Sequence, residues 1–141
     1  MHISRSGLYF VCGGTILDEE TILCAAHCFF PVDPLDDFDY VEAGIIVDLS
    51  HFLIQSGQVS FIKKIINHPM YNHITKSNDI CILKLKTALK FNENVMAACL
   101  PEPSFLPEKN GGFGVVSGWG TTSEGNIKNL YSYAQLMLYP Y

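Results

Sequence analysis

Short apolar runs alternate with turn-forming clusters along most of the chain. Runs rich in Ile, Val, Phe, Tyr and Leu are separated by clusters of Gly, Pro, Asn and Asp, which is typical of an antiparallel all-β domain. No segment shows a sustained helical period of apolar residues, so we expect no long helix. The pattern predicts strands at residues 8–17, 21–25, 39–43, 59–67, 80–86, 114–117 and 133–138.

Polar, turn-rich segments divide this pattern. Residues 29–38 and 68–78 are predicted loops, and residues 101–112 contain three prolines and two adjacent glycines. A stretch of that composition is typical of a boundary between compact units. We therefore predict a first unit at residues 1–100, a linker at 101–112 and the start of a second unit at 113–141.

Composition and charge narrow the classes of function. The 141 residues are 48% apolar and 16% charged, with a net charge of -5 that is spread along the chain, so we expect a globular protein and no nucleic-acid partner. The longest apolar run, residues 22–32, is well under the roughly 20 residues of a membrane span, and no membrane association is predicted. Residues 1–7 lack the apolar centre of a signal peptide.

The five cysteines are Cys12, Cys24, Cys28, Cys81 and Cys99. Their number in a small domain indicates an oxidising compartment, but an odd number cannot all pair within the chain. One thiol is therefore free or has a partner outside this sequence. His27 lies near two of the cysteines, yet no second ligand pair follows at the spacing of a zinc site. We predict no metal site and no cofactor.

One cluster of residues combines a cysteine pair with a histidine. Residues 12–17 read Cys-Gly-Gly-Thr-Ile-Leu, and residues 23–28 read Leu-Cys-Ala-Ala-His-Cys. A disulfide between Cys12 and Cys28 would tie the strand before a predicted hairpin to the turn that presents His27. Closing a loop of about 15 residues contributes roughly 3 kcal/mol in the chain-entropy model. Such a tie would also hold the histidine in place, as a general base requires.

These motifs resemble the chymotrypsin- and trypsin-like serine proteases. Cys-Gly-Gly followed by Ala-Ala-His-Cys is similar to the sequence around the family's catalytic His, and Asn-Asp-Ile-Cys-Ile-Leu-Lys-Leu at 78–85 is similar to the strand opening that carries its catalytic Asp. Residues 65–72 resemble the loop leading to that Asp. Ala-Cys-Leu-Pro at 98–101 and Ser-Gly-Trp-Gly at 117–120 resemble the end of the first barrel and the start of the second. The order, His before Asp, is that of the family.

The resemblance implies an all-β fold of two antiparallel barrels. This chain would cover most of the first barrel, without nearly all of its first strand, and the opening strands of the second. The resemblance assigns His27 as the general base and Asp79 as the carboxylate that orients it, while a Ser attacks the peptide carbonyl. The family's Gly-Asp-Ser-Gly-Gly stretch, which supplies that Ser and the oxyanion hole, does not occur in the sequence. We assign the role to none of Ser104, Ser117, Ser123 and Ser132.

Further expectations concern the remaining cysteines and histidines. Cys24 and Cys81 lie on strands that run side by side in the resembled fold, so they form either a cross-strand disulfide or two small buried thiols. Cys99 stands where two-chain relatives hold a disulfide to their activation segment, and we expect it to be unpaired here. The other histidines are predicted surface or loop residues: His2, His51, His68 and His73.

The sequence thus predicts a secreted serine endopeptidase that acts on protein or peptide substrates and is open to protease inhibitors. We expect the 141-residue chain to be an incomplete piece of that enzyme, inactive by itself because it has no nucleophile. The alternative is a non-catalytic homologue that binds a partner. Continuation of the reading frame into a Gly-Asp-Ser-Gly-Gly stretch would distinguish the two.

Overall fold

Antiparallel strands dominate the structure, a computed structural model that describes residues 1–5, 8–30, 39–48, 53–55, 57–101, 112–118 and 132–138. Within these residues a single 3-10 helix, Ala26–Phe29, interrupts the strands. The strands are β1 His2–Arg5, β2 Leu8–Cys12, β3 Thr15–Asp18, β4 Thr21–Cys24, β5 Tyr40–Ala43, β6 Ile46–Asp48, β7 Leu53–Gln55, β8 Gln58–Asn67, β9 Cys81–Leu85, β10 Gly112–Gly118 and β11 Ser132–Leu138. The prediction of an all-β fold is confirmed.

The chain divides into two compact units, Met1–Leu100 and Pro101–Tyr141. The first contains a seven-stranded antiparallel sheet in the order β2-β1-β5-β8-β9-β4-β3, and a separate pair formed by β6 and β7. The second contains β10 and β11, which pair antiparallel along their full lengths. The predicted linker at 101–112 lies almost entirely outside the described residues. Among those residues, no helix is long and apolar enough to span a membrane.

Strand β8 carries the curvature of the large sheet. Its first part, up to Phe61, pairs with β5, and its later part, from Ile62, pairs with β9. The register with β9 shifts between Ile62 and Lys64. A shift of this kind bends the strand and increases its twist, so one long strand can belong to both halves of a curved sheet. The result is a half-closed barrel wall.

The concave face of this wall holds the core. Burial alternates along β5 and β9, as expected of strands with one face inward. The buried apolar residues are Ile3, Ile22, Cys24, Ala26, Cys28, Phe29, Val41, Ala43, Ile62, Cys81, Leu83, Leu85, Leu89 and Val95. Because they come from most strands of the first unit and from the 3-10 helix, that helix is anchored to the same core as the sheet.

Some strand boundaries differ from the prediction. The predicted strand at 8–17 is two strands, β2 and β3, separated by Gly13 and Gly14, which belong to neither strand. A Cβ at Gly14 would lie 2.9 Å from the main-chain oxygen of Leu23, so the chain between the two strands approaches β4 too closely for a side chain. The expectation that nearly all of the first strand is missing was wrong, since β1 pairs with both β2 and β5. The three-residue strands β6 and β7 were not predicted.

Candidate active site

His27 is presented by the 3-10 helix that follows β4. In this single turn Ala26, Cys28 and Phe29 are buried, while the side chain of His27 is 50% exposed. The main-chain oxygen of His27 accepts a hydrogen bond from the amide of Phe30, at 3.4 Å. Because three of the four residues face the core, the fourth must project outward. The local sequence Ala-His-Cys-Phe therefore directs the imidazole toward solvent.

The predicted disulfide between Cys12 and Cys28 is confirmed. The two Cα atoms lie 6.3 Å apart and the residues are 16 positions apart in the sequence, and this Cα separation is ordinary for a disulfide. Cys12 is the last residue of β2, and Cys28 lies within the 3-10 helix. The bond therefore anchors the turn that presents His27 to a strand outside the β3–β4 hairpin.

Asp79 lies at the end of a loop organised by local hydrogen bonds. The side-chain oxygen of Asn72 accepts bonds from the amides of Ile74 and Thr75, at 2.9 and 3.1 Å. Lys76 and Asn78 have left-handed backbone, with φ of 59° and 54°, a conformation that costs side-chain-bearing residues free energy and persists where the surroundings enforce it. The loop thus delivers Asp79 to the start of β9 along a defined path.

The pairing of β4 with β9 brings the histidine and the aspartate together. These strands are antiparallel, and Cys24, the last residue of β4, lies opposite Cys81, the first residue of β9. His27 follows three residues after Cys24, and Asp79 precedes Cys81 by two. Both side chains therefore lie just beyond the same end of the β4–β9 pair, although the residues are 52 positions apart in the sequence.

Two hydrogen bonds join these residues. The main-chain amide of His27 donates to Oδ1 of Asp79 at 2.7 Å, and Nδ1 of the imidazole lies 2.7 Å from Oδ2. An ionised carboxylate can only accept, so Nδ1 carries a proton in this contact. In the neutral imidazole the lone pair is then on Nε2, the ring nitrogen that faces away from Asp79. This geometry presents Nε2 as a proton acceptor.

Electrostatics favour the ionised form of Asp79. Its side chain is 23% exposed. Partial burial raises the pKa of the carboxyl, but the two bonds from His27, together with the charges of His27 and Lys76, lower it by more. The pKa of Asp79 therefore lies below its ordinary value. The carboxylate that orients the imidazole is charged at neutral pH.

The remaining cysteines are unbonded in the structure. Cys24 and Cys81 are buried thiols that face each other across β4 and β9, and Cys99 is exposed. Sulfur and nitrogen atoms of Cys12, His27 and Cys28 lie within 4.8 Å of one another, but both sulfurs are already bonded in the disulfide. This group therefore cannot ligate a metal while the disulfide is intact.

Two of the four serines that follow Asp79 lie in described strands of the second unit, Ser117 in β10 and Ser132 in β11. Ser104 and Ser123 fall outside the described residues.

Two features of the site were missed by sequence reasoning. One is the main-chain bond from His27 to Asp79, which depends on the 3-10 turn. The other is aromatic packing beside the turn, where Phe30 stacks on His73 with ring centroids 4.7 Å apart and meets Tyr71 edge-on at 5.7 Å. An aromatic residue directly after His-Cys-Phe was a visible signal for such packing. His73, predicted as a loop residue, is an exposed loop residue that also makes this contact.

Comparison with known proteins gives consistent similarities. The family described as Trypsin matches residues 1–141. The chain is 35% identical over 119 residues to transmembrane protease serine 5 of Homo sapiens, covering 82% of this chain and 25% of that protein. It is 30% identical over 139 residues to trypsin II-P29 of Gallus gallus, covering 96% and 48%. It is 32% identical over 123 residues to trypsin epsilon of Drosophila erecta, covering 87% and 44%. The chain thus spans between a quarter and a half of the length of these relatives.

Proposed function

The chain belongs to the trypsin family of serine proteases, and we propose that His27 and Asp79 are the general base and orienting carboxylate of a peptide-hydrolysing site. The family is one of serine endopeptidases with a chymotrypsin-type fold. The observation that carries the proposal is the pair of 2.7 Å contacts by which Asp79 holds both the main chain and the ring of His27. The proposal concerns the protein in which this chain is joined to a nucleophilic serine.

The mechanism follows from that geometry. Nε2 of His27 accepts the proton of the serine hydroxyl as its oxygen attacks the peptide carbonyl, and the imidazolium then gives the proton to the leaving amine. The Asp79 carboxylate keeps the proton on Nδ1 and stabilises the imidazolium charge. Two fixed hydrogen bonds restrict ring rotation, so little reorganisation is needed during the reaction. The step uses side chains and main chain alone and requires no cofactor or metal.

The proposal extends to the organisation and setting of the protein. Residues 1–100 form the first barrel, 101–112 connect the barrels and 113–141 begin the second. Substrates are proteins or peptides, and inhibitors of serine proteases are potential partners. The Cys12–Cys28 disulfide supports an extracellular location. One relative is named a transmembrane protease, so we place the domain outside the cell, either secreted or attached to a membrane.

The 141-residue chain by itself is expected to be inactive, because its sequence contains no Gly-Asp-Ser-Gly-Gly stretch. Without a nucleophile and an oxyanion hole, little of the family's rate enhancement remains. Hydrolysis of a fluorogenic peptide amide by the pure chain, abolished by His27→Ala, would contradict this expectation.

The decisive experiment uses the natural gene product that contains residues 1–141. We would assay it on a mixture of fluorogenic peptide amides and compare His27→Ala and Asp79→Asn with His2→Ala, which removes a histidine from β1. Each site variant is expected to lower kcat by roughly 10⁴-fold or more, as in the family's template enzymes, while His2→Ala stays within about twofold. A natural product without a nucleophilic serine, or one whose peptidase activity survives both site variants, would overturn the proposal in favour of a binding-only homologue.

A further inference from the structure

Two buried thiols that the proposed reaction does not use face each other across the sheet. Cys24 in β4 and Cys81 in β9 are direct cross-strand partners, and they are only 6% and 2% exposed. Directly opposed residues of antiparallel strands have Cα atoms about 4.5–5.5 Å apart. Disulfides span Cα distances of about 4.4–6.8 Å. The register therefore places these two residues at a Cα separation that a disulfide can span.

The surroundings make the two sulfurs chemically unequal. Each thiol donates to a main-chain oxygen, Cys24 to Gly13 and Cys81 to Ala25, both at 3.4 Å. The neighbouring side chain of Cys81 lowers the pKa of the Cys24 thiol, although burial acts in the opposite direction. The neighbouring side chain of Cys24 raises the pKa of Cys81, and burial adds to that increase. Since the thiolate is the nucleophile in thiol–disulfide exchange, these directions favour Cys24 as the attacking sulfur and Cys81 as the resolving one.

We propose that Cys24 and Cys81 are a redox-active cross-strand pair, which a low-molecular-weight disulfide such as oxidised glutathione converts from a dithiol to a disulfide. When local opening at the end of β4 exposes Cys24, its thiolate attacks one sulfur of the small disulfide and expels one thiol, leaving a mixed disulfide. Cys81 then loses its proton and attacks the Cys24 sulfur, which expels the second thiol. The protein loses two protons and two electrons, and the small disulfide gains them.

The position of the pair gives oxidation a structural effect. The new bond would join the last residue of β4 to the first residue of β9, at the end of the strand pair that lies next to His27 and Asp79. It would close residues 24–81 into a covalent loop, which shares residues 24–28 with the loop that Cys12 and Cys28 close. Fraying of β4 and β9 at this end would then be suppressed. The inference does not depend on peptidase activity, since it concerns the bonding state of two cysteines.

The test is a redox titration of the 141-residue chain in glutathione buffers. Samples are quenched with acid, alkylated with iodoacetamide in denaturant and digested with trypsin without reduction. Cleavage at lysine and arginine leaves Cys12, Cys24 and Cys28 in the peptide 6–63, and Cys81 in the peptide 77–84. In reducing buffers that retain the Cys12–Cys28 bond, alkylation is expected at Cys24, Cys81 and Cys99. In oxidising buffers neither Cys24 nor Cys81 is expected to be alkylated, and peptides 6–63 and 77–84 are expected to be linked.

Matched variants identify the bond. Cys24→Ala and Cys81→Ala should each abolish the linkage between the two peptides, whereas Cys99→Ala should leave it unchanged. The Cys12–Cys28 bond serves as the internal marker of the native fold. If Cys24 and Cys81 both remain alkylated in every buffer that fully forms the Cys12–Cys28 bond, the proposal is wrong. Linkage of peptide 77–84 that survives Cys24→Ala would also overturn it.

A second readout separates a native bond from scrambling. Hydrogen exchange at the amides of β4 and β9 is expected to slow when the wild-type chain is oxidised. The same buffers should leave exchange unchanged in the double variant Cys24→Ala/Cys81→Ala. Faster exchange on oxidation of the wild type would show that the bond distorts the sheet, contrary to the register that motivates the proposal.

Discussion

The double substitution Cys12→Ala/Cys28→Ala is expected to lower the free energy of unfolding by about 3–4 kcal/mol. The two cysteines are 16 positions apart, and a loop of that length corresponds to about 3 kcal/mol of unfolded-state entropy in the chain-entropy model. Cys28 is also buried in the core, so loss of its sulfur adds up to about 1 kcal/mol of packing. For a small domain this is a large part of the total stability.

Urea denaturation followed by circular dichroism would measure the change. With slopes typical of small proteins, the midpoint should fall by roughly 1–4 M. Cys99→Ala is the matched control, because this exposed thiol is unbonded, and it should change stability by less than about 0.5 kcal/mol. Exchange of the His27 amide, which donates to Asp79, should also accelerate in the double variant. A loss of stability below about 1 kcal/mol, with unchanged protection at this amide, would refute the argument.

Three other substitutions test separate parts of the structure. The pKa of Asp79 is lowered in the folded chain, so its carboxylate contributes stability that is present above its ordinary pKa of about 4 and is lost as pH falls through the folded value. Asp79→Asn should therefore flatten the acid side of a curve of unfolding free energy against pH, measured by urea titration. An unchanged curve would contradict this. Ser60→Ala should lower the free energy of unfolding by about 1–3 kcal/mol in the same titration, because the buried hydroxyl donates to the main-chain oxygen of Thr87 at 2.6 Å and accepts from its amide at 3.2 Å. A loss under about 0.5 kcal/mol would show that these two hydrogen bonds are dispensable. Gly44→Ala should lower the free energy of unfolding by about 1–3 kcal/mol, since Gly44 has φ of 78° and a Cβ there would lie 2.7 Å from a buried side chain. Gly13→Ala is the control, because a Cβ at Gly13 has no atom within 4 Å. Equal effects of the two substitutions would contradict the steric argument.

Much of the fold was predictable where the apolar pattern is long enough to define a strand. β8 and β9 match the predicted strands to within a residue at each end, because each continues over at least five residues with one buried face. β1, β6 and β7 have three or four residues each, too few for alternation to be distinguished from a loop. Their pairing depends on partners that the sequence pattern does not identify.

For the candidate site, the sequence indicated the two residues but not the contacts between them. His27 and Asp79 have no local pattern in common, and only the motifs around each residue suggested that they belong together. The structure adds what those motifs cannot contain: the exposure of the imidazole on a buried 3-10 turn and the main-chain bond to Asp79. Both depend on the antiparallel register of β4 with β9, which is a property of the sheet and not of either segment.

The contact between His27 and Asp79 closes 52 positions of sequence. Contacts of such long range form only after the loop-closure entropy between the two segments has been overcome, so they tend to appear late in folding. β5 and β8 lie between the two residues in the sequence, and β9 lies between β8 and β4 in the sheet. We therefore expect the contact between His27 and Asp79 to form only once most of this sheet is paired.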